Sequence, residues 1–337
     1  MINLISDTVT RPTPQMLDFI MKAEVGDDVF GQDPTINELE NYVAEMFGKD
    51  KAIFCPSGTM TNQIAIKCHT QPLDEIICDH YSHVYQYETG GYAFNSGVAV
   101  NLIQGTNGKI TAEQIEAAIK PVYDWLPISK LVVLENSCNK GGGSYYTINE
   151  IKPITKLCKD RGLKLHLDGA RLFNVLVETG ERTQDIGKQF DSISICMSKG
   201  LGAPVGSLLV GDKDLITQAR RYRKVMGGGM RQAGYLAAAC LFALKNQRER
   251  LKIDNDKAKE IGRLLEKQPY VKEVRPVRTN IVIFDLVDSM KADPFLEKLK
   301  ANGILATAFG PETVRFVTHL DYTDQMHDTV IDVLKDL

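Results

Sequence analysis

Leu163-Lys164-Leu165-His166-Leu167-Asp168-Gly169-Ala170-Arg171 and, one helical stretch later, Ser192-Ile193-Ser194-Ile195-Cys196-Met197-Ser198-Lys199-Gly200-Leu201-Gly202 set the architecture of this chain. Each is a short apolar run that stops abruptly at polar and small residues, and a helical pattern lies between them. Runs of the same kind recur at 52–55, 75–79, 98–103, 131–135 and 207–210, giving seven in all, most of them separated by helical patterns. Strands that alternate with helices form a mostly parallel sheet covered on both faces, and near-continuous apolar strands are what such burial demands. Three helices are expected to open with capping boxes, at Thr35/Glu38, Thr111/Gln114 and Thr147/Glu150.

The pattern changes after an alanine-rich helix that begins near Gln232. A helix at 255–267, a strand at 279–285, a helix opened by Asp293-Pro294, a strand at 314–317 and a last helix to Lys335 make a smaller α+β unit. The expectation is an α/β protein with a large domain over 1–245, N-terminal arm included, and a small domain over 246–337, joined by the alanine-rich helix. A chain of 337 residues is long enough for two cores.

Composition narrows the function classes. Hydrophobic residues are 43% and charged residues 25%, and the net charge is −3, so neither nucleic acid nor a membrane surface is an expected partner. The first residues lack a basic segment followed by an apolar one, and the longest apolar stretch, 236–244, is far shorter than the ~20 residues that span a bilayer. A cytoplasmic location is expected. The seven cysteines are odd in number, scattered and without a C-x-x-C pair, which points to reduced thiols and to no metal centre.

The chemistry lies at the strand ends, where open α/β sheets bind ligands. Asp168 alone would read as the N-cap of the helix that follows. Lys199 changes that reading. It ends an apolar strand among Ser, Gly and Ala, whereas lysines are ordinarily solvated. Desolvation favours the neutral amine that condenses with a carbonyl. An acid and a lysine on adjacent strands are the pair that pyridoxal 5′-phosphate needs, one to hold its ring nitrogen protonated and one to form the imine.

The remaining parts fit that cofactor. Pro56-Ser57-Gly58-Thr59-Met60-Thr61-Asn62 joins a strand to a helix and offers free N–H groups to a phosphate. His83 follows the next strand, where an imidazole could lie against the ring or move a proton. Gly227-Gly228-Gly229 with Lys224 and Arg231 gives a bend flanked by cations, suited to a phosphate. Gly200 to Gly206 imitates a dinucleotide loop but contains Pro204 and runs into a strand, so a nucleotide is excluded.

In combination the chain resembles the threonine aldolase branch of the beta-eliminating lyases, within the aspartate aminotransferase superfamily of fold type I. The matching motifs are Ser6-Asp-Thr-Val-Thr-Arg11, Gly26-Asp-Asp-Val29, Pro56-Ser-Gly-Thr-Met60, His83 with Glu88, Gly90 and Gly91, Glu135-Asn136, His166 to Arg171, Ser198 to Gly206, Gly227 to Gln232 and Arg315-Phe-Val-Thr-His319. The resemblance implies Lys199 as Schiff-base lysine, Asp168 on the pyridine nitrogen and His83 stacked on the ring. It implies Gly58, Thr59 and Ser198 near the phosphate, reached also by Arg231 of a neighbouring subunit. Ser6, Arg171 and Arg315 would hold the substrate carboxylate, with Glu88, His83 or a held water as base. The implied reaction is cleavage of a β-hydroxy-α-amino acid to glycine and an aldehyde. The implied assembly is a homo-oligomer, a dimer of dimers, with active sites at subunit interfaces.

Three positions depart from the family pattern: Trp125 and Cys138 stand where it has histidines, and Phe30 where it has tyrosine. These changes lead to the expectation of a less polar substrate pocket that prefers an aryl over a methyl β-substituent. The rival readings are a pyridoxal phosphate lyase, racemase or transaminase acting on another bond, and a non-catalytic homologue.

Overall fold

The computed structural model describes all 337 residues. After β1 (Ile2–Asn3), strands β2 (Lys51–Cys55), β3 (Asp74–Asp79), β4 (Ala99–Ile103), β5 (Ile128–Glu135), β6 (Lys164–Gly169), β7 (Ser192–Cys196) and β8 (Ser207–Gly211) form a seven-stranded sheet. Its spatial order is β2-β8-β7-β6-β5-β3-β4. Neighbours from β7 to β4 are parallel, and β8 alone runs antiparallel to both of its neighbours. The expected seven strands and their mostly parallel pairing are thus present. Every residue of β3, β7 and β8 is buried, because helices cover both faces.

The chain leaves β3 for the edge strand β4, then returns to β5 on the other side of β3. That reversal opens a crevice at the carboxyl ends of the central strands. The carboxyl end of β5 supplies Glu135, that of β6 supplies Asp168, and the segment after β7 supplies Lys199.

The small unit contains β9 (Val271–Val274), β10 (Ile281–Leu286), β11 (Ile304–Leu305), β12 (Thr307–Ala308) and β13 (Thr313–Val317). Four of them form an antiparallel sheet, β12-β13-β10-β9, over a core of 17 buried residues, beside a core of 40 in the large unit. Two features differ from the sequence expectation. The alanine-rich helix Gly234–Asn246 packs wholly into the large core, and the next helix, Leu251–Leu265, crosses the junction: Leu251 lies in the large core, Ala258, Ile261 and Leu265 in the small one. The N-terminal arm also reaches the small unit, where β1 pairs in parallel with β11 and Leu4 joins the smaller core.

Of the capping boxes, that of Thr111 with Gln114 is formed in both directions, and the Glu150 carboxylate accepts from the N–H and the hydroxyl of Thr147. Thr35 is not a cap. Asp33 and Pro34 precede it, a carboxylate acceptor with proline at the first helical position; Asp33 accepts from Ile36 N, and Thr35 donates to the Glu24 carbonyl instead.

Candidate active site

At the crevice lies a cleft of about 550 Å³ lined by Ser6, His83, Arg171, Lys199 and Arg315 among others. Lys199 follows β7 after Met197 and Ser198 and is half-buried, with its side chain in the cleft wall. Asp168 is buried at the end of β6, in register with Ser194 of β7. It does not cap the following helix, whose N-cap position is Arg171. Its carboxylate accepts from Asn62 Nδ2 at 2.9 Å and from the Ala170 N–H at 3.2 Å.

His83 starts a short helix after β3, and two carboxylates fix it. Its backbone N–H donates to Glu135 Oε2 at 2.9 Å, and its Nδ1 lies 3.0 Å from Glu88 Oε1. Burial alone would lower the His83 pKa, but the hydrogen bond to Glu88 and the charges of Asp168 and Glu135 outweigh it, so the net displacement is upward. Glu88 is buried and also accepts from Asn62 and Gln63, at 2.8 and 2.6 Å. It therefore orients His83 from behind and leaves the other ring nitrogen to the cleft. Glu135, buried beside Asp168, is pushed up to about 7 by burial and by that neighbouring charge.

The two arginines are unequally engaged. Arg171 grips buried Asp7 with Nε and Nη2, each at 2.7 Å. Burial works against the Asp7 charge, yet Arg171 holds its carboxyl down at about 2. Arg315 has no carboxylate partner. Its Nη1 donates to Asn139 Oδ1 and its Nη2 to the Ile5 carbonyl, both at 2.9 Å, its guanidinium lies 4.7 Å from the Phe309 ring centre, and its buried Nε is unpartnered. Burial and the nearby Arg171 charge lower its pKa to about 10. A cation so placed calls for an anion from solution.

A second group of free donors lies at the start of the helix Gly58–His69. Ser57 accepts from Met60 N, so the Gly58 and Thr59 N–H groups remain for a ligand. The buried Ser207 hydroxyl, without a partner, lies where a Cβ on Gly58 would come within 3.6 Å. Ser198 is half-buried, 3.4 Å from Cys196 Sγ. The triple-glycine segment presses on this region: a Cβ on Gly228 would come within 2.4 Å of Met60 Sδ. Lys224 and Arg231 are both exposed, and Arg231 pairs with Asp27 at 2.9 Å.

The residues behind the expectation of a less polar pocket do not reach this protomer's cleft. Trp125 is 76% exposed and stacked on Tyr123, Phe30 is 71% exposed, and Cys138 is buried against Gly108. Sequence reasoning also overlooked Asp7, Asn62 and the role of Glu135. Each sat inside a motif quoted above, and the signal was a charged or amide group in an otherwise apolar or small-residue context.

Residues 3–289 match the family model described as beta-eliminating lyase. The low specificity L-threonine aldolase of Escherichia coli K12 is 42% identical over 322 residues, 95% of this chain and 94% of its own length. Low-specificity L-threonine aldolase 1 of Arabidopsis thaliana is 39% identical over 96% of this chain and 92% of its own. Among solved structures, a threonine aldolase from Leishmania major superposes with a TM-score of 0.88 at 24% identity, covering 100% of this chain and 99% of that one.

Proposed function

Because the chain belongs to the beta-eliminating lyase family, we propose that it is a pyridoxal phosphate-dependent aldolase that cleaves β-hydroxy-α-amino acids of the threonine type to glycine and an aldehyde. The observation that carries the reading is the pairing of a lysine in the cleft wall with a buried aspartate on the adjacent strand, opposite an arginine whose charge has no partner.

The donor set fits the cofactor: Ser57 to Thr59 and the orphaned Ser207 hydroxyl suit its phosphate, Asp168 its ring nitrogen and Lys199 its aldehyde. When bound, pyridoxal phosphate supplies an aldehyde for an amine and an electron-withdrawing ring that takes up the electron pair left on the glycine carbon. Arg315 binds the substrate carboxylate, and Asn139 and the Ile5 carbonyl fix the direction of its fork. Ser6 adds a hydroxyl from the N-terminal arm, and Arg171, committed to Asp7 by two of its nitrogens, contributes the third. His83 takes the β-hydroxyl proton. Glu88, an acceptor only, keeps the proton on Nδ1 and leaves the Nε2 lone pair for that task.

The assembly belongs to the same reading: a homo-oligomer, a dimer of dimers in the cytoplasm, in which exposed Phe30, Trp125 and Arg231 meet a neighbouring protomer's site. Their exposure supports this.

The test is glycine release from threonine, allo-threonine and phenylserine by the purified holoprotein, with borohydride reduction and mapping of the modified residue. Glycine and aldehyde in equal amounts, with the label on Lys199, are expected. An unmodified Lys199, or no glycine from any of the three, would overturn the assignment.

A further inference from the structure

One amide joins the two carboxylates on which the site depends. Asn62 Nδ2 donates to Glu88 Oε1 at 2.8 Å and to Asp168 Oδ2 at 2.9 Å, and all three residues are buried. An ionised carboxylate only accepts, so both hydrogens of the amide are spent there and its oxygen must face the other way. There, 3.1 Å from Asn62 Oδ1, lies His166 Nε2. That nitrogen is therefore the one carrying hydrogen, and His166 Nδ1 must accept from the Ser192 hydroxyl 2.8 Å away. The Ser192 oxygen in turn takes the Nε2 hydrogen of His69, also at 2.8 Å.

The chain of donors runs in one direction, from His69 at the end of the phosphate-binding helix, through β7 and β6, to the carboxylates. Both histidines are held neutral. Burial, with His69 close by, presses His166 down to about 3, and burial presses His69 down to about 4. No proton passes along the whole chain, because the amide of Asn62 interrupts it. It acts as a brace.

On the cofactor reading above, we propose that Asn62 is a positioning residue that aims Asp168 at the ring nitrogen and, through Glu88, aims His83 at the substrate, with its own orientation locked by His166 and Ser192. Glu88 also receives Gln63, whereas the only other donor to the Asp168 carboxylate is the Ala170 N–H in its own turn. The loss of Asn62 therefore falls most heavily on Asp168. At metal sites the residues that hold a ligating side chain from behind typically contribute 10- to 100-fold to affinity or activity, and the same scale is expected here.

The experiment compares wild type with Asn62→Ala, His166→Leu and His166→Gln. Each holoenzyme is assayed for steady-state kinetics with threonine, and each apoenzyme for pyridoxal phosphate affinity by fluorescence titration. Gln keeps an N–H for Asn62 near the position of His Nε2; Leu removes it. For Asn62→Ala we expect cofactor affinity and kcat each to fall at least 10-fold, with KM for threonine within about 3-fold of wild type. His166→Leu should show the same split, and His166→Gln should recover most of both losses. Unchanged affinity and kcat in Asn62→Ala, a change confined to KM, or equal behaviour of the two His166 variants would overturn the proposal. Should Asn62→Ala not fold, the His166 pair decides the matter. A wild-type protein that takes up no pyridoxal phosphate sinks the functional reading itself, whereas a normal wild type with indifferent variants sinks only the role of Asn62.

Discussion

Arg171 and Asp7 meet through two hydrogen bonds of 2.7 Å, in a pair that is nearly free of solvent contact although 164 residues separate the partners. Asn280 Nδ2 adds a third donor to Asp7 at 3.0 Å. The pair ties the N-terminal arm to the turn after β6, and so the hydroxyl of Ser6 to the mouth of the cleft.

Asp7→Asn leaves the Arg171 charge buried without its counterion. The expected cost is about 3–5 kcal/mol in urea unfolding at pH 7. The acid limb gives an independent check. With a folded pKa of about 2 against the ordinary value of 3.8, the Asp7 carboxylate stabilises the fold above pH 4, and that contribution, about 2 kcal/mol, is lost as pH falls toward 2. The wild-type curve should be steeper over that interval than the variant's.

Glu135 should act in the opposite sense. Its pKa rises from 4.5 to about 7 on folding, so the folded state holds the proton more tightly, and stability from this group is fully present below pH 4.5 and lost as pH rises through 7. A urea midpoint that drops between pH 5 and pH 7.5 in wild type, with a flatter dependence in Glu135→Gln, is the expected result. Equal slopes would show that Glu135 does not carry the effect.

Glu88→Gln removes the hydrogen-bonded anion that raises the His83 pKa. The rising limb of kcat/KM against pH, which reports loss of the His83 proton, should move to lower pH. His83→Phe should lower kcat by roughly 10²–10⁴-fold while the cofactor remains bound.

Arg315→Gln should raise KM for threonine by on the order of 10²-fold, the equivalent of two charge-assisted hydrogen bonds, with little change in cofactor affinity. Titration of the apoenzyme with pyridoxal phosphate, beside the kinetic assay, separates the two effects.

Ser207→Ala deletes the free hydroxyl beside Gly58. Affinity for pyridoxal phosphate should weaken by roughly 10- to 100-fold, as for one hydrogen bond to a charged group, while that for pyridoxal, which lacks the phosphate, stays unchanged.

The central sheet was legible because strands buried on both faces must be continuously apolar. Its seven runs fall on the strands to within a few residues, and Asp168 and Lys199 were legible because polar groups stand out at the ends of such runs. The two-residue strands β11 and β12 have no pattern of their own and exist only through pairing with β1 and β13. The cap at Thr35 failed because a stronger cap precedes it at Asp33. Asn62 lay in a quoted motif, but its partners stand 26, 104 and 106 residues away, and no local periodicity encodes an amide shared by distant carboxylates. Trp125 and Phe30 could be placed by sequence only through likeness to a family, and both lie outside the cleft of their own protomer.

The Arg315 guanidinium rests on the Ile5 carbonyl, a contact between residues 310 positions apart, and the parallel pairing of β1 with β11 spans nearly the same distance. Closing so large a loop is slow relative to local structure formation. The strands of the large sheet are complete at β8, whereas the Arg315 fork meets the Ile5 carbonyl only when β13 and the N-terminal arm are both in place. The residues proposed to hold the cofactor lie between positions 57 and 207, and those proposed to hold the amino acid draw on both ends of the chain, so the two tasks rest on different stretches of sequence.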